Sequence, residues 1–339
     1  MKKRRPSPAV RILGGFVWLV LCLGALGAGT FFGFTGQSGL AAEVVKQTLA
    51  RVEPREVFDQ RDYVNILILG IDENRYYKPR DSKEAGQVLE GGRSDVMMVA
   101  HLDFDTKKIS GLSISRDIAI ALDGGNRHKI NAYYERGGPD MARRAAESVI
   151  GLPIQKVIDF KYSDFREIVD AIGGVEVDVE KRMLYHDYRG DLHVDLTPGR
   201  HHLDGKEAEG FVRYRKADAK AARELGLRPD TDEERQKRQR ALMLEIKKKI
   251  ESNPRTLPSF ANAMMATLGK NLTEREFAAI ILFGRNVGSD NVKMDTVPYI
   301  DLGIQPGIGW IMDVDRDKLP AKLEELGFTE SSSATASNR

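Results

Sequence analysis

Cysteine is almost absent from this sequence: its 339 residues include a single one, Cys22. One cysteine excludes an intramolecular disulfide bridge and a zinc site built from several thiolates. A domain that lies outside the cytoplasm without such bridges depends on its hydrophobic core for stability.

Several common catalytic motifs are also missing. The sequence has no G-x-S-x-G, no G-x-x-x-x-G-K-[ST] and no H-E-x-x-H, which disfavours common hydrolases, P-loop enzymes and zinc proteases. Its histidines lack the spacing of a metal site, and its basic residues are not interleaved with aromatic ones as on a nucleic-acid surface. The 52 basic and 50 acidic residues nearly balance, so the net charge indicates no nucleic-acid partner.

The longest apolar run spans residues 12–34 and contains no charged residue. About 23 residues are enough for a helix to cross a bilayer. Because basic residues at 2–5 precede the run, we expect a single-pass membrane helix with the N-terminus in the cytoplasm and the body of the protein outside the cell membrane. The alternative is a cleaved signal peptide, since small residues follow at 38–42, but the run is long for one.

No internal repeat or interior linker divides the remainder, which predicts one α/β domain. The predicted organisation is a cytoplasmic basic tail at 1–11, a transmembrane helix at 12–34, a stalk at 35–61, the α/β domain at 62–328 and a disordered tail at 329–339.

The most informative stretch is 93–117. It predicts strands at 96–102 and 109–114 around a polar turn, and the apolar run 64–71 upstream is typical of a buried strand. If these three strands alternate in direction, the end of the first, the start of the second and the end of the third lie at one edge of the sheet. The residues that this arrangement would bring together are Asp72, Arg93, Asp95, Arg116 and Asp117.

Carboxylates beside guanidinium groups suit a divalent cation and the phosphates that it bridges. Each acidic residue alone has a simpler explanation, because acidic residues often end strands. A rim of opposite charges can also be an ordinary surface network. The expected clustering of Asp72 and Asp95 with Arg93 and Arg116 favours a site for phosphate and metal.

The rest of the sequence predicts further elements around this sheet. Helices are predicted at 140–150, 163–172 with Ser163 as N-cap, 207–214, from Asp232 as N-cap, from Thr273 to Arg285, and at 319–326. Strands are predicted at 157–160, 175–179, 292–299 and 309–314. Residues 73–92 lack periodicity and predict a long loop beside the site.

Two further groups of basic and amide side chains are candidates for phosphate binding. Arg213 and Arg215 lie at a predicted helix end. Arg235, Arg238 and Gln239 are spaced i, i+3 and i+4 and so share one helix face. For both groups the simpler alternative is a basic surface exposed to solvent.

Seven motifs in order give the chain a resemblance to the LytR-CpsA-Psr (LCP) family of bacterial cell-envelope proteins. They are ILILGID (66–72), RSDVMMVAHLD (93–103), LSISRD (112–117), KINAYY (129–134), DFREIVDAIGGVEVDV (164–179), LDGKEAEGFVRYRK (203–216) and DEERQKRQ (232–239). The resemblance implies an LCP-like fold, in which the membrane anchor is followed by one mixed-sheet α/β/α catalytic domain at 62–328. It also implies a magnesium-assisted phosphotransfer outside the membrane, which attaches anionic glycopolymers carried on a polyprenyl pyrophosphate lipid to peptidoglycan.

The resemblance also implies roles for individual residues. Asp72 and Asp95 match carboxylates that hold Mg2+ and serve the reacting hydroxyl, Arg116 matches an essential arginine, and Asp117 is expected to orient it. The positions that match pyrophosphate-binding residues are Arg93, Lys129, Arg213, Arg215, Arg235, Arg238 and Gln239.

Three features depart from the family pattern. Ser115 stands where the family usually has proline, and the segments 73–92 and 217–231 look longer than usual. Two other functions stay open: a hydrolase that acts on the same lipid with water as acceptor, and a non-catalytic envelope regulator or lipid-binding scaffold.

Overall fold

A computed structural model describes residues 52–72, 75–77, 88–90, 92–187, 192–268 and 271–328. These residues form two compact units. The sheet unit comprises 52–71, 93–159 and the described part of 268–328. The helical unit comprises the described parts of 72–92 and 160–267.

Strands and helices follow one another along both units. The strands are β1 (Tyr63–Asp72), β2 (Arg75–Tyr77), β3 (Val88–Glu90), β4 (Arg93–Asp103), β5 (Lys108–Ile114), β6 (Ala119–Ile120), β7 (His128–Lys129), β8 (Lys156–Lys161), β9 (Val175–Val179), β10 (Met183–Asp187), β11 (Leu192–Leu196), β12 (Gly199–Leu203), β13 (Val292–Thr296), β14 (Tyr299–Gln305) and β15 (Gly309–Val314). The helices are α1 (Pro54–Val57), α2 (Ala132–Ile150), α3 (Tyr162–Ala171), α4 (Gly205–Arg213), α5 (Ala219–Glu224), α6 (Asp232–Ser252), α7 (Leu257–Leu268), α8 (Glu274–Arg285) and α9 (Leu319–Leu326).

A mixed five-stranded sheet with the order β13-β5-β4-β1-β8 organises the sheet unit. β4 and β5 pair antiparallel, and β13 joins β5 in parallel. β1 runs antiparallel to β4, because the Phe104 amide donates to the Asp62 carbonyl at one end while Gly70 lies against Val96 at the other. The predicted mixed sheet, with its first three long strands alternating in direction, is therefore confirmed.

One face of this sheet packs against α2 and forms a continuous hydrophobic core. Leu69, Met97 and Val99 from the strands lie in one cluster with Ala145 and Val149 of the helix, and all five are fully buried. Complete burial of a large apolar side chain stabilises a fold by about 1.5–3 kcal/mol. The helix has alanines at the contact, which lets it lie close to the strands.

The helix α2 begins earlier than the sequence predicts. We expected it from residue 140, but it starts at Ala132 and is kinked where Gly137 and Gly138 leave helical geometry, before Pro139. Gly138 has φ of +63°, a region that favours glycine, and proline cannot donate a backbone hydrogen bond to the preceding turn. The prediction missed the first turns because these breakers stand inside the helix.

A buried histidine lies among the strands of the same unit. His101 is 3% exposed, and its Nδ1 lies 2.8 Å from Oδ1 of Asn65. The Asn65 amide in turn donates to the Pro153 carbonyl at 2.8 Å. Burial lowers the pKa of His101 to about 4, so the imidazole is neutral at pH 7 and acts as a satisfied core residue.

The segment 73–92 is not wholly a loop, which corrects the prediction. β2 and β3 pair antiparallel within it, with Arg75 opposite Glu90. Residues 73–74, 78–87 and 91 lie outside the described part. The short strands escaped prediction because three-residue strands carry too little periodicity to be read from sequence.

Two-stranded sheets and helices form the helical unit. β9 pairs antiparallel with β12 and β10 with β11, and the predicted alternation of Val175–Val179 appears as alternating burial. Gly173 and Gly174 follow α3 with φ of +74° and +73°, which agrees with the predicted end of this helix at residue 172. The segment 217–231, which looks longer than usual for the family, contains the short helix α5.

Two predicted N-caps are wrong by one or two residues. Thr231, not Asp232, caps α6: its Oγ1 accepts a hydrogen bond from the Glu234 amide at 3.2 Å, and Oε2 of Glu234 accepts one from the Thr231 amide at 2.8 Å. Lys161, not Ser163, precedes the first turn of α3. The Thr273 cap of α8 is confirmed, since its Oγ1 accepts from the Glu276 amide at 3.3 Å.

The C-terminal part of the sheet unit contains one strand more than the sequence predicts. The predicted strand 292–299 divides into β13, at the edge of the large sheet, and the start of β14. β14 forms a separate antiparallel hairpin with β15. The last predicted helix, Leu319–Leu326, is confirmed.

Within the described residues, no helix is both long enough and apolar enough to cross a membrane. The predicted transmembrane helix at 12–34 and the predicted tail at 329–339 lie outside those residues.

Replacing Gly205 with alanine should destabilise the protein by about 1–3 kcal/mol. A Cβ at this position would lie 2.3 Å from the Arg166 carbonyl oxygen, and that backbone atom cannot move without shifting α3. Gly284 is the matched control, because a Cβ there meets nothing within 4 Å. Alanine at 284 should stabilise by about 0.5–1 kcal/mol. Urea unfolding midpoints measure both, and equal midpoints for the two variants would contradict the expectation.

Candidate functional site

The pairing of β4 with β5 sets one charged pair at the end of the sheet. Met97 lies opposite Ile114, so extending the same antiparallel register by two residues brings Asp95 opposite Arg116. The Arg116 guanidinium donates to Asp95 Oδ1 at 3.0 Å. These two predicted site residues are therefore adjacent, on the sheet face that continues from the buried core.

Asp117 connects the motif that contains Arg116 to Lys129 of β7. Its Oδ1 accepts from Lys129 Nζ at 2.7 Å, and its Oδ2 lies 3.8 Å from Arg116 Nε. The Asp117 carbonyl also accepts from the Met312 amide at 2.9 Å. The backbone of Asp117 is thus anchored while its carboxylate lies between two cationic groups.

Arg93 opens β4 and contacts the first turns of α2. Its Nε donates to Glu135 Oε2 at 2.9 Å. Arg93 and Asp95 point to the same side of β4 because side chains alternate along a strand. Sequence reasoning missed Glu135, because the sequence indicates its role only by its position shortly after the K-I-N segment.

These ion pairs are open to solvent. The side chains of Arg93 and Arg116 are 51% and 50% exposed, and that of Asp95 is 37% exposed. Exposed pairs contribute about 0–1 kcal/mol each, so a phosphate group can replace the carboxylate partners of these arginines at little cost. Among the described side chains of these ion pairs, three are cationic and three are anionic.

The predicted metal ligands are Asp72 and Asp95. Asp72 is the last residue of β1, but its side chain lies outside the described part of the chain. Asp95 offers a carboxylate, the hard oxygen donor that Mg2+ prefers, and Arg116 bonds to Oδ1. Within the described residues, no group of three or more histidine, cysteine, aspartate or glutamate side chains is arranged to hold a metal ion. The donor type of Asp95 fits magnesium, and the role of Asp72 stays a prediction.

In the helical unit, Arg213 ends α4 beside a buried carboxylate. Arg213 donates to Glu209 Oε1 at 2.5 Å, and Arg166 of α3 donates to Glu209 Oε2 at 2.8 Å. The Arg213 guanidinium carbon lies 4.4 Å from the centre of the Tyr162 ring. The i, i+4 spacing of Glu209 and Arg213 could have been read from the sequence, whereas the parts of Arg166 and Tyr162 needed the fold.

Arg238 binds the end of α4. Its guanidinium donates to the carbonyls of Phe211 at 2.6 Å and Tyr214 at 2.5 Å and to Asp230 Oδ2 at 2.5 Å. Its side chain is 10% exposed and that of Asp230 is 1% exposed. Carbonyls at a helix C-terminus lack intrahelical donors, and Arg238 supplies them.

The other members of these two motifs have different surroundings. The Gln239 amide makes a long contact, 3.4 Å, to the Val212 carbonyl. Arg215 is exposed, and its carbonyl accepts from the Asp230 amide at 2.7 Å. Arg235 lies in α6, and its side chain is outside the described part. Pyrophosphate binding by this group of residues stays a prediction.

Ion pairs hold the segment 217–231, which lies between the motif of Arg213 and Arg215 and the motif of Arg235, Arg238 and Gln239. Lys181 Nζ lies 2.5 Å from Asp230 Oδ1. Hydrogen bonds from Arg228, together with the Thr231 amide, hold the pKa of Glu234 well below its ordinary value. Near the other end, the His186 amide donates to Asp218 Oδ1 at 3.3 Å.

Comparison with known proteins identifies similar sequences. The model of the LytR_cpsA_psr family matches residues 33–325. The polyisoprenyl-teichoic acid–peptidoglycan teichoic acid transferase TagT of Bacillus subtilis is 28% identical over 64% of this chain and 66% of its own length. The regulatory protein MsrR of Staphylococcus aureus is 30% identical over 69% and 64%. The TagU transferase of Oceanobacillus iheyensis is 33% identical over 65% of each chain. The chain thus spans slightly less than two thirds of the length of these relatives.

Solved structures share the fold. The crystal structure of Bacillus subtilis TagV is 25% identical, with a TM-score of 0.52 over 79% of this chain and 99% of that one. Protein gbs0355 of Streptococcus agalactiae is 21% identical, with a TM-score of 0.54 over 82% and 92%.

Arg238→Ala should destabilise the protein by about 3–5 kcal/mol, because it leaves the buried Asp230 carboxylate short of a partner and the α4 carbonyls without a donor. Lys237→Ala on the same helix is the control, since its pair with Glu180 is exposed and is worth less than about 1 kcal/mol. Urea unfolding of the two variants tests this. Equal, small losses in the free energy of unfolding would show that Arg238 does not stabilise the end of α4.

Proposed function

Because the chain belongs to the LytR-CpsA-Psr family, we propose that it is a phosphotransferase of the cell envelope. The donor is an anionic glycopolymer, teichoic-acid-like or capsular, linked to a polyprenyl pyrophosphate. The acceptor is a hydroxyl group of peptidoglycan. Support comes from the relatives TagT and TagU, whose names describe teichoic acid transfer to peptidoglycan.

The observation that carries the proposal is the half-exposed pair of Arg116 and Asp95 at the end of the sheet. In the reaction, the acceptor oxygen bonds to the phosphorus next to the glycopolymer, and the bond from that phosphorus to the bridging oxygen breaks. The lipid leaves as its monophosphate. Arg116 and Arg93 stabilise the charge that develops on the pyrophosphate oxygens, and Lys129 adds a third cationic group.

A carboxylate accepts the proton of the attacking hydroxyl in this scheme. Asp72 and Asp95 are the two candidates, and they would also hold a Mg2+ ion. Bound magnesium would neutralise phosphate charge and orient the pyrophosphate. Asp117, which contacts both Arg116 and Lys129, holds the two cationic groups in position.

Two further sequence motifs contain candidate phosphate-binding groups in this proposal. Arg213 and Arg215 are the leading candidates, because Arg213 is 21% exposed and Arg215 is exposed. Arg235, Arg238 and Gln239 are included on the match of their motif. Arg238, with its donors directed to carbonyls and Asp230, would act through the position of α4.

We further propose that the N-terminal segment anchors the protein in the cell membrane with the catalytic part outside the cytoplasm. The basic residues at 2–5 and the uncharged run at 12–34 support this topology. A lipid-linked donor and peptidoglycan would both be within reach there.

A regulatory function without catalysis is the second candidate, favoured by the likeness to MsrR, which is named a regulatory protein. The deciding experiment incubates the full chain with a lipid-pyrophosphate glycan and peptidoglycan oligomers, with and without Mg2+. Covalent product that requires Mg2+ supports the transferase. Polymer released without an acceptor identifies a hydrolase, and donor binding without any product identifies the regulator.

Arg116→Ala should lower the rate of transfer by at least about 100-fold. The change removes a cationic group that stabilises the negative charge developing on the pyrophosphate oxygens as the lipid monophosphate leaves. The ion pair that it breaks is half-exposed, so the unfolding midpoint should change little. Transfer and thermal unfolding are measured on the same preparation.

Arg144→Ala is the matched control for that variant. Arg144 also pairs with an aspartate, Asp123, and is 45% exposed, but no motif assigns it to the site. Its activity should equal that of the wild type. Full activity of Arg116→Ala, or equal losses in both variants, would refute the assignment of Arg116.

Asp95→Asn should remove transfer together with its dependence on Mg2+. The asparagine oxygen can still accept from Arg116, so the local structure is kept while the ionised ligand is lost. A magnesium titration of activity is the measurement, with Asp123→Asn as the control of equal charge change. A fully active Asp95→Asn enzyme that still requires Mg2+ would place the metal elsewhere.

A further inference from the structure

Glu209 is a buried carboxylate on α4, one turn before Arg213. It is 3% exposed, and both of its oxygens are engaged: Oε1 accepts from Arg213 at 2.5 Å and Oε2 accepts from Arg166 at 2.8 Å. A buried carboxylate is costly unless it is paired. Two guanidinium partners meet this requirement, and they fix the geometry of all three side chains.

Tyr162 holds the same arginine from another direction. The guanidinium carbon of Arg213 lies 4.4 Å from the centre of the Tyr162 ring, within the range of a cation–π interaction. A long arginine side chain normally loses rotamer freedom when it binds a ligand. Contacts to a carboxylate and to an aromatic face remove that freedom before a ligand arrives, which favours tighter binding.

Two cationic side chains share one carboxylate in this cluster. Arg166 and Arg213 carry two positive charges and Glu209 one negative charge, so these three side chains together have a net positive charge. A carboxylate that faced Arg213 alone would neutralise it. Because Arg166 shares the carboxylate, Glu209 by itself orients Arg213 without neutralising it.

We propose that Glu209 is a positioning residue that holds the Arg213 guanidinium in place for the donor pyrophosphate, with Arg166 as its balancing partner. The inference rests on the proposed function, in which Arg213 binds that pyrophosphate. It gives a role to Glu209, to which the motif matches assigned none. It also explains why this carboxylate is buried between two arginines.

The test measures binding of geranylgeranyl pyrophosphate to the full chain in detergent for the wild type, Glu209→Gln, Arg213→Gln and the double variant. Glutamine keeps the shape of Glu209, but its amide faces one guanidinium with hydrogens and its charge is gone. Each single variant should bind about tenfold more weakly than the wild type. The double variant should be no weaker than Arg213→Gln alone, because Glu209 acts through Arg213.

Controls separate positioning from stability. Glu224→Gln changes an exposed glutamate of another i, i+4 pair, with Lys220, and should bind as the wild type does. Ile250→Val and Ile250→Ala lower stability by graded amounts at a fully buried position of α6, 1% exposed. The unfolding midpoints of these two variants should lie above and below that of Glu209→Gln. Both variants should bind the probe as tightly as the wild type does.

Three outcomes would overturn the inference. Glu209→Gln could bind as tightly as the wild type, the two single losses could multiply in the double variant, or the Ile250 variants could lose binding in parallel with stability. If any one of these outcomes occurs while the wild type still transfers glycopolymer, the positioning role of Glu209 is refuted and the proposed function stands. A wild type that neither binds the probe nor transfers polymer refutes both.

Discussion

The antiparallel register of β4 and β5 is the constraint on which the charged edge of the sheet depends. It places Met97 opposite Ile114 in the core, and two residues farther on it places Asp95 beside Arg116. A shift of one strand by one residue would turn its apolar side chains to the opposite face of the sheet and remove them from the core cluster that contains Met97 and Ile114. Their burial is worth about 1.5–3 kcal/mol each, against about 0–1 kcal/mol for the exposed ion pair. Core packing therefore fixes the register, and the ion pair follows from it.

The structure separates two kinds of arginine that look alike in the motifs. Arg93 and Arg116 are half-exposed and bind carboxylates that a phosphate can replace. Arg238 is almost buried and bonds to helix carbonyls and to Asp230. The first kind suits reversible binding of an anionic substrate. The second kind holds the end of α4, the helix that carries Arg213.

Sequence periodicity predicted the long elements well and their ends less well. β1, β4 and β5 were predicted within a few residues, as were α8 with its Thr273 cap and α9, because their apolar patterns span several turns or strand repeats. The cap of α6 was placed at Asp232 instead of Thr231 because both residue types are good caps. β2 and β3 were missed because three residues show no pattern.

By itself, the sequence determined which long elements form and which motifs end at the same edge of the sheet. Alternating and continuous apolar runs define strands locally, and Asp95, Arg116 and Lys129 were recognisable as candidates from their motifs. The tertiary structure alone decided which partners the charged side chains bind. Glu135 binds Arg93, Asp117 binds Lys129, and Glu209 lies between Arg166 and Arg213. These contacts join residues up to 43 positions apart. Such pairs depend on strand register and helix packing, which arise from burial summed over the whole core and not from any local pattern.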